Sequence, residues 1–331
     1  MDPAKEGRIE VRDRTSGSDT GSTNVAMVAL AGQSIFLGAN WVVMKIGLRY
    51  ASVWPFAAMR TGFGAIALFL LVLALRRPLR PRQVPLTILL GLLQTTAQIG
   101  LLMWALESGS AGRTSALVYT MPFWALIFAR LFLGERLKRV QWLAVALAVV
   151  GLVAILDPVN LKGSLASKLM AVGAGLAWAA STVVAKRIRS RGPVDVLNLT
   201  AWQMLFGAIP IVIIALVHPS QGIIWAPAFV AALAYNVLLA TAVAWFLWLY
   251  VLQVLPAGIA GLGTLAAPVI GVVSSWLLLK EHVGIYEAVG ILLILAALLV
   301  LALIGLTSRR QVQAAGLVAR AASAGGSRPP K

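Results

Sequence analysis

Ten apolar runs, each about as long as a bilayer crossing, alternate along the chain with short polar stretches. A hydrocarbon core about 30 Å thick needs roughly 20 mainly apolar residues in a spanning helix. Windows of that length predict helices over Val25–Leu48, Trp54–Leu75, Val84–Leu106, Arg113–Phe132, Val140–Leu156, Leu169–Lys186, Val196–Val217, Ala226–Leu252, Ile259–Leu279 and Ile285–Leu306. The runs are continuous rather than alternating, so they read as helices and not as the strands of a barrel. The short connections make consecutive helices antiparallel. The predicted fold is an all-α integral membrane protein with ten transmembrane helices. Residues 1–24 read as a polar, disordered tail, and residues 307–331 as a second one rich in Ala, Gly and Arg. The first apolar run is too long for the core of a signal peptide, and its lead is acidic as well as basic.

The two halves of the chain repeat each other. Phe63-Gly64-Ala65-Ile66 recurs as Phe206-Gly207-Ala208-Ile209, and Val42-Val43-Met44-Lys45 recurs as Val183-Val184-Ala185-Lys186. Ala111-Gly112, Pro122 and Glu135 recur in order as Ala257-Gly258, Pro268 and Glu281. The units run over residues 25–156 and 169–306, joined by a linker at 157–168. Five helices is an odd number, so the second copy enters the membrane upside down. Two inverted five-helix repeats are the mark of transporters that alternate access around a central site.

Composition sharpens this picture. Of 331 residues 60% are apolar and only 12% charged, where a soluble protein carries about a quarter charged residues. The net charge is nevertheless +17, from 28 Lys and Arg against 11 Asp and Glu. Most of the basic residues fall in the two tails and in the loops after helices 2, 4 and 6. By the positive-inside rule that side is cytoplasmic, with both termini on it. Basic residues scattered over separate loops do not make a nucleic-acid surface. With no cysteine and two histidines, thiol chemistry and Cys-based metal sites are excluded. No HExxH, GxSxG or paired intramembrane Asp marks an enzyme, and no cofactor is expected.

Polar groups inside a bilayer are costly and should face a cavity. The candidate wall is Asn40, Trp41 and Met44 of helix 1, Gln94 and Gln98 of helix 3, Tyr119 of helix 4, Trp178 and Thr182 of helix 6, Gln203 of helix 7, Tyr235 and Trp245 of helix 8, and Thr264 of helix 9. Amides, hydroxyls and aromatic rings suit recognition of a small polar or zwitterionic molecule rather than reaction. Arg60 and Lys45 are the candidate contacts for a carboxylate or another anion. Pro122 and Pro268, at equivalent places in the repeats, are candidate hinges. Arg113 is expected to pair with Glu107. Helices 5 and 10 are apolar all round and read as peripheral, facing lipid or forming a weak homodimer contact; a monomer is the other reading.

The two repeats, the Gly38-Ala39-Asn40-Trp41-Val42-Val43-Met44-Lys45 stretch, and the fourth helix with Tyr119-Thr120-Met121-Pro122 ending in Gly134-Glu135-Arg136-Leu137 resemble the drug/metabolite transporter superfamily, in particular its EamA-type ten-helix exporters. The second copy departs from this with Lys280-Glu281-His282-Val283 at the last turn. The resemblance covers about residues 25–306. It implies an inner-membrane exporter of small metabolites, similar to YddG-like amino-acid exporters. Aromatic and other neutral amino acids fit the neutral wall; exchange of nucleotide-type or other anionic metabolites, and multidrug efflux, stay open. Helix 1 has no acidic residue, which argues against proton-driven drug antiport.

Overall fold

In a computed structural model the chain is described over residues 19–134, 137–156, 165–218, 220–255, 266–281 and 283–303. The described residues form helices throughout: α1 Asp19–Gly47, α2 Val53–Ala74, α3 Val84–Ser108, α4 Ala111–Leu133, α5 Arg139–Leu156, α6 Leu165–Ser190, α7 Val196–Val217, α8 Pro227–Val251, α9 Ala266–Leu279 and α10 Ile285–Leu303. All but α9 are described over a length sufficient to cross a membrane. The tails beyond residue 303 and before residue 19 lie outside the described residues, as do Thr264 and the first part of the predicted ninth helix.

Local chemistry sets the helix starts. Ser110 caps α4 by accepting the Arg113 amide at 3.2 Å, and Asp195 caps α7 by accepting the Asn198 amide at 2.9 Å. Pro85 and Pro227 sit in the first turns of α3 and α8, where no intrahelical donor is lost. Gly134 ends α4 in the left-handed conformation. Two boundaries differ from expectation. α1 reaches back to Asp19 and α6 to Leu165, because backbone hydrogen bonding continues past the point where the apolar run stops.

Helix packing obeys the two-fold relation of the repeats. α1 lies against α8 and α9, and its counterpart α6 lies against α3 and α4. α2 packs on α8 as α7 packs on α3, and α2 and α7 pack on each other across the pseudo-axis. The closest crossings use glycine. A Cβ on Gly207 would stand 2.3 Å from the Gly91 carbonyl oxygen, and one on Gly91 would stand 2.4 Å from that of Gln203. α5 and α10 meet in the same way through Gly151 and Gly290. Their other faces, including Val149, Val153, Leu292 and Leu299, are exposed at the surface.

Three helices depart from a plain α-helical path. α4 breaks at Tyr119 and Thr120, and Pro122 opens its second half. α3 and α8, the third helix of each repeat, contain π-helical segments at Leu92–Ala97 and Tyr235–Val243. In α8 the Thr241 hydroxyl donates to the Asn236 carbonyl at 2.8 Å, five residues back, and so satisfies backbone opened by the wider turn.

Candidate functional site

A cavity of about 460 Å³ lies between the two repeats. Asn40, Trp41 and Met44 reach it from α1, Arg60 from α2, Gln94 and Gln98 from α3, and Tyr119 with Pro122 from the break in α4. Trp178 of α6, Gln203 of α7 and Trp245 of α8 complete the predicted part of the wall. The π turns widen α3 and α8 at this level, which places Thr95 beside Gln94 and Gln98, and Thr241 and Ala240 on the opposite side. Gln33, Ser34 and Trp248 extend the cavity toward the start of α1 and the end of α8.

Three expected positions fall elsewhere. Thr182 is not on the wall; its hydroxyl donates to the Ala179 carbonyl of its own helix at 2.7 Å. Tyr235 is turned aside by the π segment, and its hydroxyl donates to the Phe36 carbonyl of α1 at 3.0 Å. Lys45 does not reach the cavity. Its ammonium donates to the carbonyls of Leu106, Glu107 and Gly109 at 2.5, 3.1 and 2.8 Å, and so caps the C-terminal end of α3. Pro268, the candidate hinge of the second repeat, is buried at the third described residue of α9.

The wall holds its groups firmly. Tyr119 stands between Trp41 and Trp178, with ring centroids 6.1 and 6.0 Å away. Thr95 donates to the Gln203 side chain at 3.0 Å, and Thr96 to the Gly207 carbonyl at 2.6 Å, which ties α3 to α7 across the repeats. Gly175 lets α6 approach the break in α4; a Cβ there would stand 3.1 Å from the Val118 carbonyl oxygen. Among the described lining residues Arg60 is the only charged one.

The side opposite the termini is bridged by α4 and α9. Glu281, just after α9, accepts the amides of Ala111 and Gly112 at 2.9 and 3.3 Å and the hydroxyl of Ser275. A carboxylate at the first turn of α4 satisfies donors that no helix can satisfy alone. Arg113 pairs with Glu287 through two hydrogen bonds of 3.0 and 3.1 Å, and not with Glu107 as its neighbourhood in the chain suggested. The small residues Gly271 and Ser275 of α9 face Ser115 and Gly112 of α4, which lets these two helices approach closely.

Comparison with known proteins agrees with this arrangement. The model of the EamA-like transporter family matches twice, over residues 24–157 and 165–303. An uncharacterized transporter of Bacillus subtilis, YoaV, is 27% identical over 276 residues, which cover 81% of this chain and 93% of the relative. A probable amino-acid metabolite efflux pump of Salmonella typhimurium is 27% identical over 292 residues, covering 84% and 95%. A solved structure, described only as a crystal structure of a protein, superposes with a TM-score of 0.58 at 17% identity over 87% of this chain and 98% of the other. That likeness concerns the fold alone.

Proposed function

The chain belongs to the EamA-like transporter family, and on that premise we propose that it exports small neutral metabolites, amino acids foremost, by alternating access around the central cavity. The observation that carries this reading is the cavity itself. It lies where the two inverted repeats meet, and amides, hydroxyls and three aromatic side chains in tilted and edge-to-face contact line it. Such a wall suits a small zwitterion with an apolar side chain and, among its described residues, offers no carboxylate to a cationic drug. The 27% identity to a probable amino-acid metabolite efflux pump supports the same substrate class.

Export requires two orientations of the site. The break in α4 and the π turns in α3 and α8 border the cavity and are the points where these helices can bend. The basic loops support a cytoplasmic location for the side with the termini, and three Escherichia coli homologues named as uncharacterized inner membrane transporters support that membrane. A thermal-shift screen of the purified protein over amino acids, nucleosides, sugars and cationic dyes tests the reading. Stabilisation by neutral amino acids is the expected result. Stabilisation by cationic dyes without any amino-acid response overturns it.

A further inference from the structure

Resting on that reading, we propose that Arg60 and Asn40 form a two-point clamp for the head group of an α-amino acid. Arg60 takes the carboxylate and Asn40 takes the ammonium, so a free carboxylate is a condition of recognition.

Arg60 stands at the cavity wall in the membrane-spanning part of α2. Its guanidinium has five donors. Among the described residues its hydrogen-bond contacts are two thioether sulfurs, Met44 at 2.7 Å and Met103 at 3.9 Å. Sulfur is a weak acceptor, and no acidic residue lies among the described residues of the wall. A cation held in a bilayer normally pairs with an anion or with backbone carbonyls. Lys45, one residue from Met44, follows that rule with three carbonyls. Arg60 does not, although it lines the cavity. A carboxylate matches the guanidinium fork with two parallel hydrogen bonds.

Asn40 supplies the second point. It is 6% exposed, it lines the same cavity, and its side-chain oxygen has no hydrogen-bond partner. A buried acceptor left alone is costly and marks a place where a donor binds. Asn40 stands four residues before Met44 on α1, about 6 Å along the helix and on the same face. Met44 in turn touches Arg60, so both groups belong to the same part of the wall. Charge-assisted hydrogen bonds of about 2.8 Å each would hold the small head group between the two. Trp41 follows Asn40 and leads to Tyr119, so the aromatic cluster is left for the amino-acid side chain.

Trp41 and Trp178 also provide a readout, since both line the cavity and their fluorescence responds to an occupant. The test titrates wild type, Arg60→Gln and Asn40→Ala with L-phenylalanine, with L-phenylalaninol, which lacks the carboxylate, and with 3-phenylpropionate, which lacks the amine. Glutamine is the residue that the second repeat carries at the equivalent position, Gln203. Wild type is expected to bind phenylalanine about 10-fold or more tighter than phenylalaninol, and Arg60→Gln to remove that preference. Asn40→Ala is expected to weaken phenylalanine about 5-fold and to leave 3-phenylpropionate unchanged. Should Arg60→Gln not fold, Arg60→Lys, with partial loss for both carboxylates, carries the test with Asn40→Ala. Phenylalanine bound without any preference that depends on Arg60 overturns the clamp and leaves the amino-acid reading standing. Binding of 3-phenylpropionate through Arg60 without phenylalanine overturns both the Asn40 half and the amino-acid reading. Binding of none of the three overturns the clamp and the reading together.

Discussion

The carboxylate of Glu281 accepts the backbone amide of Ala111 at 2.9 Å, joining residues 170 positions apart in the chain. The contact fixes the first turn of α4 to the end of α9 on the side opposite the termini. If that side opens during transport, this contact has to break. The chain has no cysteine, so single cysteines report accessibility without background. With Ser115→Cys as reporter, just inside the contact, Glu281→Ala is expected to raise labelling by an impermeant maleimide roughly 5-fold, the effect of about 1 kcal/mol of lost hydrogen bonding. Equal labelling rates would show that Glu281 does not hold this side closed.

The crossing of α3 and α7 joins the two repeats backbone to backbone. Adding a methyl at Gly207 forces the helices apart, because the new atom stands 2.3 Å from the Gly91 oxygen. Gly207→Ala is expected to destabilise the protein by about 1–3 kcal/mol, read as a lower melting temperature in detergent. Gly222→Ala, where nothing lies within 4 Å, serves as the control and should melt like wild type.

Much of the architecture was legible because a bilayer leaves few choices. Long apolar runs must be helices, and the Phe63-Gly64-Ala65-Ile66 and Phe206-Gly207-Ala208-Ile209 pair showed which helices correspond. The wall residues Asn40, Gln98, Tyr119 and Trp178 were legible because polar groups in lipid need a reason to be there. Lys45 and Arg113 were misread for one cause. Their partners, the carbonyls at the end of α3 and Glu287 of α10, are 61 or more residues away in the chain. The π turns were not legible, since no residue type specifies them and they depend on hydrogen bonds five residues apart. Thr95 and Thr241 lie within these turns and line the wall, and Tyr235 lies at the start of one and does not.

Pro122 begins the second half of α4 directly after the break that turns Tyr119 into the cavity. Restoring a backbone donor there favours a continuous helix. Pro122→Ala is expected to slow exchange of labelled substrate in proteoliposomes several-fold while the affinity stays within about 2-fold. An unchanged exchange rate at normal expression would remove Pro122 from the bending mechanism.

Coupling follows from the charge on the path. Among the described lining residues none is Asp, Glu or His, the groups that usually carry protons through transporters. Proteoliposomes under a pH gradient alone are therefore expected to reach no more than the equilibrium substrate level, while a gradient of unlabelled substrate drives accumulation. Accumulation under the pH gradient alone would assign coupling to a residue outside this wall.

The central claim is that an amino acid crosses through the cavity between the repeats. Counterflow of labelled L-phenylalanine into proteoliposomes preloaded with the unlabelled amino acid tests it most directly, with Gln98→Trp as the blocked variant because Gln98 borders the cavity. Transient accumulation by wild type, lost in Gln98→Trp protein that still folds, is the predicted result. Absence of accumulation by wild type, or undiminished accumulation by the folded variant, would contradict the claim.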